Sequence, residues 1–270
     1  MTDVTRAPSD PPVAREAAMS ALRVAAWGIC VYFAARLLGV WLEETSVAAA
    51  AGQAVAVEWG MGRVGVAWSD PSAPIPSANA IVKRALRGVG LATAVAAAIA
   101  VSALALGLAS IARARVDAGS LVIGAVTSGL LAMRDEIALH GLVMRVMVHS
   151  RRNDLRLLAC GLTSAGSALG ESTPSASSVL AQAFAGVALG ALWVQDRGAW
   201  KAWGAHTALR FAFGAVLAGS VWDVRAHGIA GGDGGLATSW LGVAVLGATA
   251  AGAAWYVLVR APRSAREAAH

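Results

Sequence analysis

Charge is scarce in this chain. Only 14% of its residues are Asp, Glu, Lys or Arg, while 57% are hydrophobic. Soluble domains carry about 25% charged residues because their surface must face water, so an ordinary soluble enzyme is excluded. Cysteine is scarcer still. Cys30 and Cys160 are the whole supply, both in apolar runs, which excludes a disulfide framework and a cysteine metal site. The five histidines are spread out and no His-Glu-x-x-His occurs, so a zinc protease site has no obvious ligand set. No long polar stretch divides the chain into domains. No inverted repeat or pair of broken helices marks a carrier. No cleavable signal peptide is evident, because the first apolar run follows a polar segment.

What is present is apolar helix. The mean hydropathy is +0.61. A span needs about 20 apolar residues, and runs near that length lie at 24–42, 88–111, 119–148, 155–170, 177–195, 201–221 and 237–259. The expected fold class is therefore all-α, a polytopic transmembrane helix bundle with seven or eight spans. The ambiguity sits at 46–68, where an apolar start gives way to Glu58 and Arg63. Residues 78–87 read as a short interfacial helix. Residues 1–20, with three prolines, read as a disordered polar tail. Residues 21–260 form one membrane-embedded domain, and 261–270 a basic tail. Most of the ten tryptophans flank the apolar runs, as in a membrane-surface belt.

The net charge is +6. The basic residues come in short clusters between apolar runs: Lys83, Arg84 and Arg87; Arg145, Arg151, Arg152 and Arg156; Arg260, Arg263 and Arg266. That is the pattern of cytoplasmic loops and tails, and no nucleic-acid motif accompanies it. A cytoplasmic C-terminus makes 222–236 external and 149–154 cytoplasmic, while 112–118, with Arg113 and Arg115, falls outside and fits poorly.

Chemistry concentrates in two places. The run 119–148 contains Arg134, Asp135, Glu136 and His140. Each charge at a helix centre costs about 2.5–3.5 kcal/mol by insertion scales, so these groups must face the bundle, water or a surface. Glu136 and His140, four apart, share a helix face, and Asp135 points about 100° away from Glu136. In the run 201–221, His206 and Arg210 are again four apart. By the span count they share a half of the membrane with the first cluster. A buried carboxylate with histidines suits water activation, its donors stabilising the oxyanion formed on a carbonyl. The same groups suit proton relay, or merely a hydrogen-bonded knot that orients helices, with Arg210 reaching to the interface. Ser164 and Ser167 have no evident base near them in sequence. His149, His227 and His270 read as solvent-facing.

Asp135-Glu136-Ile-Ala-Leu-His140-Gly141 resembles the first motif of the CPBP family, the CAAX-processing and bacteriocin-processing type of intramembrane glutamic endopeptidases. That motif is Glu-Glu-x-x-x-Arg. Phe184-Ala-Gly-Val-Ala-Leu-Gly190, then Gly198-Ala-Trp200 and Ala205-His206, resembles the run into the family's last motif, His-x-x-x-Asn, which here reads His206-Thr-Ala-Leu-Arg210. The resemblance covers about 119–215. Asp135 stands at the family's first glutamate, His140 at its arginine and Arg210 at its asparagine. The middle motif, Phe-x-x-x-His, has no histidine between 160 and 172, where Ser164, Ser167 and Glu171 are the polar candidates. The resemblance implies an endopeptidase of the bacterial inner membrane, with no cofactor and no metal. Its substrate is a membrane-anchored protein in the lipid bilayer. Asp135 or Glu136 is then the base, His206 the polarising partner and Arg210 a donor fork. Among branches of the family the chain is similar to myxosortase-like enzymes, which trim C-terminal sorting tails. The motif departures point instead to a non-catalytic scaffold or substrate-binding relative.

Overall fold

The computed structural model describes residues 11–42, 46–70, 73–114, 116–150, 152–170, 174–231 and 235–260, with side chains from 18 onward. Among these, helix dominates: α1 (Pro11–Trp41), α2 (Val47–Gly62), α3 (Ala78–Ala105), α4 (Ala118–Asp135), α5 (Leu142–Val146), α6 (Asn153–Ala168), α7 (Ala176–Asp196), α8 (Trp200–Phe211) and α9 (Trp240–Trp255). π-helical turns follow α4 (Glu136–Gly141), α8 (Ala212–Val216) and α9 (Tyr256–Arg260). The all-α class holds, with one addition. Strands β1 (Ala109–Arg113) and β2 (Trp222–Ala226) pair antiparallel, Ala109 opposite Ala226 and Arg113 opposite Trp222.

Four helical segments are long and apolar enough to cross a membrane: Ala18–Trp41, Ala78–Ala105, Ala176–Asp196 and Trp240–Arg260. The helix starts are set by capping chemistry. Ser46, Ser77 and Ser239 each accept a backbone N–H from the first turn, and Ser175 with Ser178 forms a reciprocal box. Asp117 caps α4. The Ser120 hydroxyl and the Ser120 and Gly119 amides hold its carboxyl below the usual range.

Several sequence expectations shift. Residues 11–20, read as disordered tail, are helical, since Pro11 and Pro12 fit a first turn and alanines follow. Residues 1–10 and 261–270 lie outside the described residues. The ambiguous 46–68 is helix only to Gly62. The interfacial helix expected at 78–87 is the first part of α3. The run 88–111 stops being helical at Ala105, because Gly107 takes φ +66 and turns the chain into β1. The run 201–221 leaves its helix at Val216 and turns back into β2.

The helices run alternately up and down between two ends. At one end, Arg145 donates to the Val64 carbonyl, Ala199 to the Trp68 carbonyl, and Arg84 to the Asp196 carbonyl. Lys83, Arg84, Arg87, Arg145, Arg152, Arg156 and Arg260 gather at this end, and Trp68 stacks on Trp200 with ring centroids 4.5 Å apart. The other end carries the β1–β2 pair, where His227 donates its amide to Leu108. Small residues allow close helix approach. A Cβ on Gly88 would lie 2.0 Å from the Lys201 carbonyl oxygen, and one on Gly204 would lie 2.2 Å from that of Ala85. These two glycines seat α3 directly on α8 and so fix the helix that carries His206.

Candidate functional site

Glu136 is the hub. It is 0% exposed, the first residue of the π-helical turn after α4. Its Oε2 accepts the indole N–H of Trp193 at 2.7 Å and pairs with His140 Nδ1 at 3.0 Å. Its Oε1 pairs with His206 Nδ1 at 2.9 Å. A carboxylate accepts only, so each imidazole donates its Nδ1–H to it; in the neutral ring Nε2 is then an acceptor. His140 Nε2 then accepts the Ser164 hydroxyl at 3.1 Å. His206 Nε2 makes no hydrogen bond among the described residues, and His206 is part of the wall of a cavity of about 700 Å³.

Asp135 points elsewhere, as its position one residue before Glu136 requires. Its Oδ1 accepts from Arg134 Nε at 2.7 Å, and its Oδ2 lies 3.3 Å from Arg210 Nη1. Arg134 also donates to Gln53 Oε1 on α2. The geometry is thus two parallel pairings between α4 and α8. Glu136 holds His206, and one turn along α8 Asp135 holds Arg210. The four-residue spacing of His206 and Arg210 aligns them on one helix face, and the change of facing between Asp135 and Glu136 supplies the partners. Arg210 pairs with Asp135, and its side chain, 31% exposed, lines the same cavity.

The cavity is elongated. Asp135, Leu139, Ser164, His206 and Arg210 form its inner end. Ser120, near the start of α4, and Ser220 and Thr238, in the segments flanking β2, line its end towards the β1–β2 pair. Tyr32, Gln182 and Phe213 line the walls. Glu136 does not touch it. Its two oxygens are fully engaged, so any effect of this carboxylate on a bound group passes through an imidazole.

The five residues singled out in the sequence therefore meet in one place: Glu136, His140 and His206 in one hydrogen-bonded knot, Asp135 and Arg210 beside it. His149 and His227 are exposed and distant in the fold, and Glu171 and His270 lie outside the described residues. Ser164 does have a base beside it, His140, brought there by the packing of α6 against the π-helical turn. Two participants escaped the sequence reading. Trp193, near the end of an apolar run, reads as one of the belt tryptophans, yet it is 4% exposed. A buried indole N–H must find an acceptor, and that was the available signal. Gln53 lay in an apolar run where an amide also needs a partner. Among the described residues no cluster of three His, Cys, Asp or Glu is arranged to hold a metal ion. No family model, no curated protein and no solved structure matches this chain.

Proposed function

We propose that this chain is a multi-pass protein of a bacterial inner membrane. It crosses the bilayer eight times and hydrolyses a peptide bond of membrane-anchored proteins in the cavity above His206. Eight alternating helical passes leave the start of α1 and the end of the turn after α9 at the basic end of the bundle. Arg63, Lys83, Arg84, Arg87, Arg145, Arg152, Arg156, Lys201 and Arg260 gather there, against Arg113 and Arg225 at the other end, so the basic end faces the cytoplasm. The end of the cavity lined by Ser120, Ser220 and Thr238 then faces away from the cytoplasm, and substrates present their cleavable bond on that side.

The observation that carries the reading is His206: its Nδ1 pairs with a fully buried carboxylate, and the residue lines the cavity of about 700 Å³. In the reaction, Nε2 takes a proton from water and the hydroxide adds to the scissile carbonyl carbon. The negative charge that forms on the carbonyl oxygen is met by guanidinium N–H groups of Arg210, themselves aimed by Asp135. Nε2 then returns the proton to the departing amine as the C–N bond breaks. Glu136 stabilises the transient imidazolium and fixes the tautomer, as a carboxylate does in a nucleophile triad. The resemblance to the glutamic intramembrane endopeptidases supports the same residues but distributes the roles differently: there the carboxylate is the base and His206 the polarising partner, whereas here His206 is the base and Glu136 acts through it.

A second reading rests on a different contact. Ser164, His140 and Glu136 stand in the order nucleophile, base, carboxylate, at 3.1 and 3.0 Å. Ser164 also lines the cavity. In that reading the Ser164 oxygen attacks the carbonyl, its proton passes through His140 to the leaving amine, and water later releases the acyl ester.

The test compares the C-termini of membrane proteins, by mass spectrometry, in a strain lacking the gene. The strain is complemented with wild type, His206→Gln or Ser164→Ala at matched protein level. Tails left uncut in the null and in His206→Gln, but cut with wild type and with Ser164→Ala, support the water mechanism. Loss of cutting with Ser164→Ala, together with its loss of labelling by a fluorophosphonate, favours the acyl ester. Identical termini in all strains remove the hydrolytic reading and leave a non-catalytic, substrate-binding role.

A further inference from the structure

A second cavity opens between α3, α7, α8 and α9, on the basic half of the bundle. Its volume is about 330 Å³. Its interior is aliphatic: Leu91, Val95, Ala188, Leu192 and Leu246 are typical of the lining. The polar groups of the lining are the Thr249 hydroxyl, which donates to the Val245 carbonyl, and Tyr256; at one end stand Gln195, at the end of α7, and Lys201, at the start of α8. The Lys201 ammonium donates to the Gln195 side-chain oxygen. The pocket is therefore amphipathic along its length, cationic at the rim and dry below.

The rim is more basic than its lining alone. α3 lies directly on α8 through Gly88 and Gly204, which brings Arg84 and Arg87 to the neighbourhood of Lys201. One acidic group, Asp196, is among them, and Arg84 already pairs with it at 3.4 Å. Arg87 and Lys201 stay as the surplus, two positive charges near the membrane surface over an apolar slot. In a chain that spans a bilayer such a slot does not hold water, because its lining offers almost nothing for water to bond. It does not suit a peptide either, whose backbone N–H and C=O groups would go unpaired in it.

We propose that this pocket binds one anionic phospholipid of the cytoplasmic leaflet. An acyl chain fills the slot and the phosphate lies between Arg87 and Lys201. Basic pockets between membrane helices on the cytoplasmic side have this chemistry. The inner end of the slot is the wall it shares with the larger cavity: Ala185, Leu189, Leu209 and Leu246 line both. The chain thus packs behind the helix that carries His206, one wall away from the site. This binding does not depend on the hydrolytic reading.

The test is native mass spectrometry of the intact, detergent-solubilised chain, delipidated and then offered phosphatidylglycerol or phosphatidylcholine with the same acyl chains. The variants are Arg87→Glu combined with Lys201→Glu, Lys201→Gln as a milder change, and Ala188→Phe, which fills the slot without touching charge. Wild type retains a single phosphatidylglycerol at an affinity at least ten-fold above that for phosphatidylcholine. The charge-reversed variant loses that preference, Lys201→Gln weakens it, and Ala188→Phe removes the tightly held lipid of both kinds. Each variant is first shown to be monodisperse. Equal retention of the two lipids by wild type overturns the proposal, as does unchanged phosphatidylglycerol retention in the charge-reversed variant or in Ala188→Phe.

Discussion

Replacing Glu136 by glutamine keeps shape and volume and changes one thing, the ability of both termini to accept. In the native site Oε2 accepts two N–H groups, from Trp193 and His140, and Oε1 accepts one, from His206. The amide oxygen of a glutamine satisfies the doubly donated position, because an NH₂ there would face two donors. Its NH₂ then points at His206 Nδ1. That nitrogen must become an acceptor, so the ring proton moves to Nε2. The base at the cavity becomes a donor. The scale of such a tautomer error is about 10⁴-fold when a triad carboxylate becomes an amide, and losing a general base alone costs about 10²–10⁴-fold. We expect Glu136→Gln to lower kcat/KM by about 10²–10⁴-fold with little change in KM. Stability should move far less. The lost charge-assisted hydrogen bonds, about 1.5–3 kcal/mol each, are offset by no longer burying a charge. The assay is turnover, in liposomes, of a substrate identified from uncut C-termini, with thermal unfolding of the same preparation alongside. A Glu136→Gln protein that is as active as wild type within about three-fold, with an unchanged Tm, would refute the role given to this carboxylate.

Other consequences are more local. Asp135→Asn leaves Arg134, almost fully buried, facing a neutral amide. The loss should be about 3–5 kcal/mol, the scale for breaking one side of a buried pair, read as a lower Tm in detergent, and Asp135→Asn with Arg134→Met should recover part of it. Gly204→Val places side-chain atoms on the Ala85 carbonyl, so α8 must leave α3. It should unfold or aggregate, whereas Gly90→Ala, at an open position on α3, should purify normally on size exclusion. A cysteine at Ser220 in a chain lacking Cys30 and Cys160 should react with an impermeant maleimide added from outside the cytoplasm, and one at Lys83 should not. The reverse pattern would invert the topology. Trp193→Phe keeps the ring and removes one donor to Glu136. It should cost about 1.5–3 kcal/mol, seen in the unfolding midpoint, and should shift the pH profile of turnover.

The division between what sequence determined and what packing decided follows from the range of each interaction. Composition and the length of apolar runs depend on local residues alone, and they settled the all-α class and the apolar character of α1, α3, α7 and α9. The i, i+4 spacings of Glu136 with His140 and of His206 with Arg210 are also local, and each pair does share a face. The different facings of Asp135 and Glu136 follow from helix geometry in the same way. Helix ends were less legible. The turn of the chain at Gly107 depends on β1 finding β2, more than 100 residues away, and no local pattern announces a strand there. The π-helical turn that seats Glu136 is likewise imposed by its neighbours and not by the composition of 136–141.

Tertiary structure alone decided who meets whom. Trp193 reads as one more tryptophan of a surface belt until α7 packs against the π-helical turn. Ser164 lacked a base until α6 set it against His140. Gln53 had no visible partner until α2 met Arg134. The same packing fully engages both oxygens of Glu136 and gives the cavity to His206. These outcomes turn on contacts between residues tens of positions apart, where a few tenths of an ångström decide whether a hydrogen bond exists. The sequence determined which groups are too polar for lipid; only the fold determined that they satisfy one another and that His206 lines a cavity beside them.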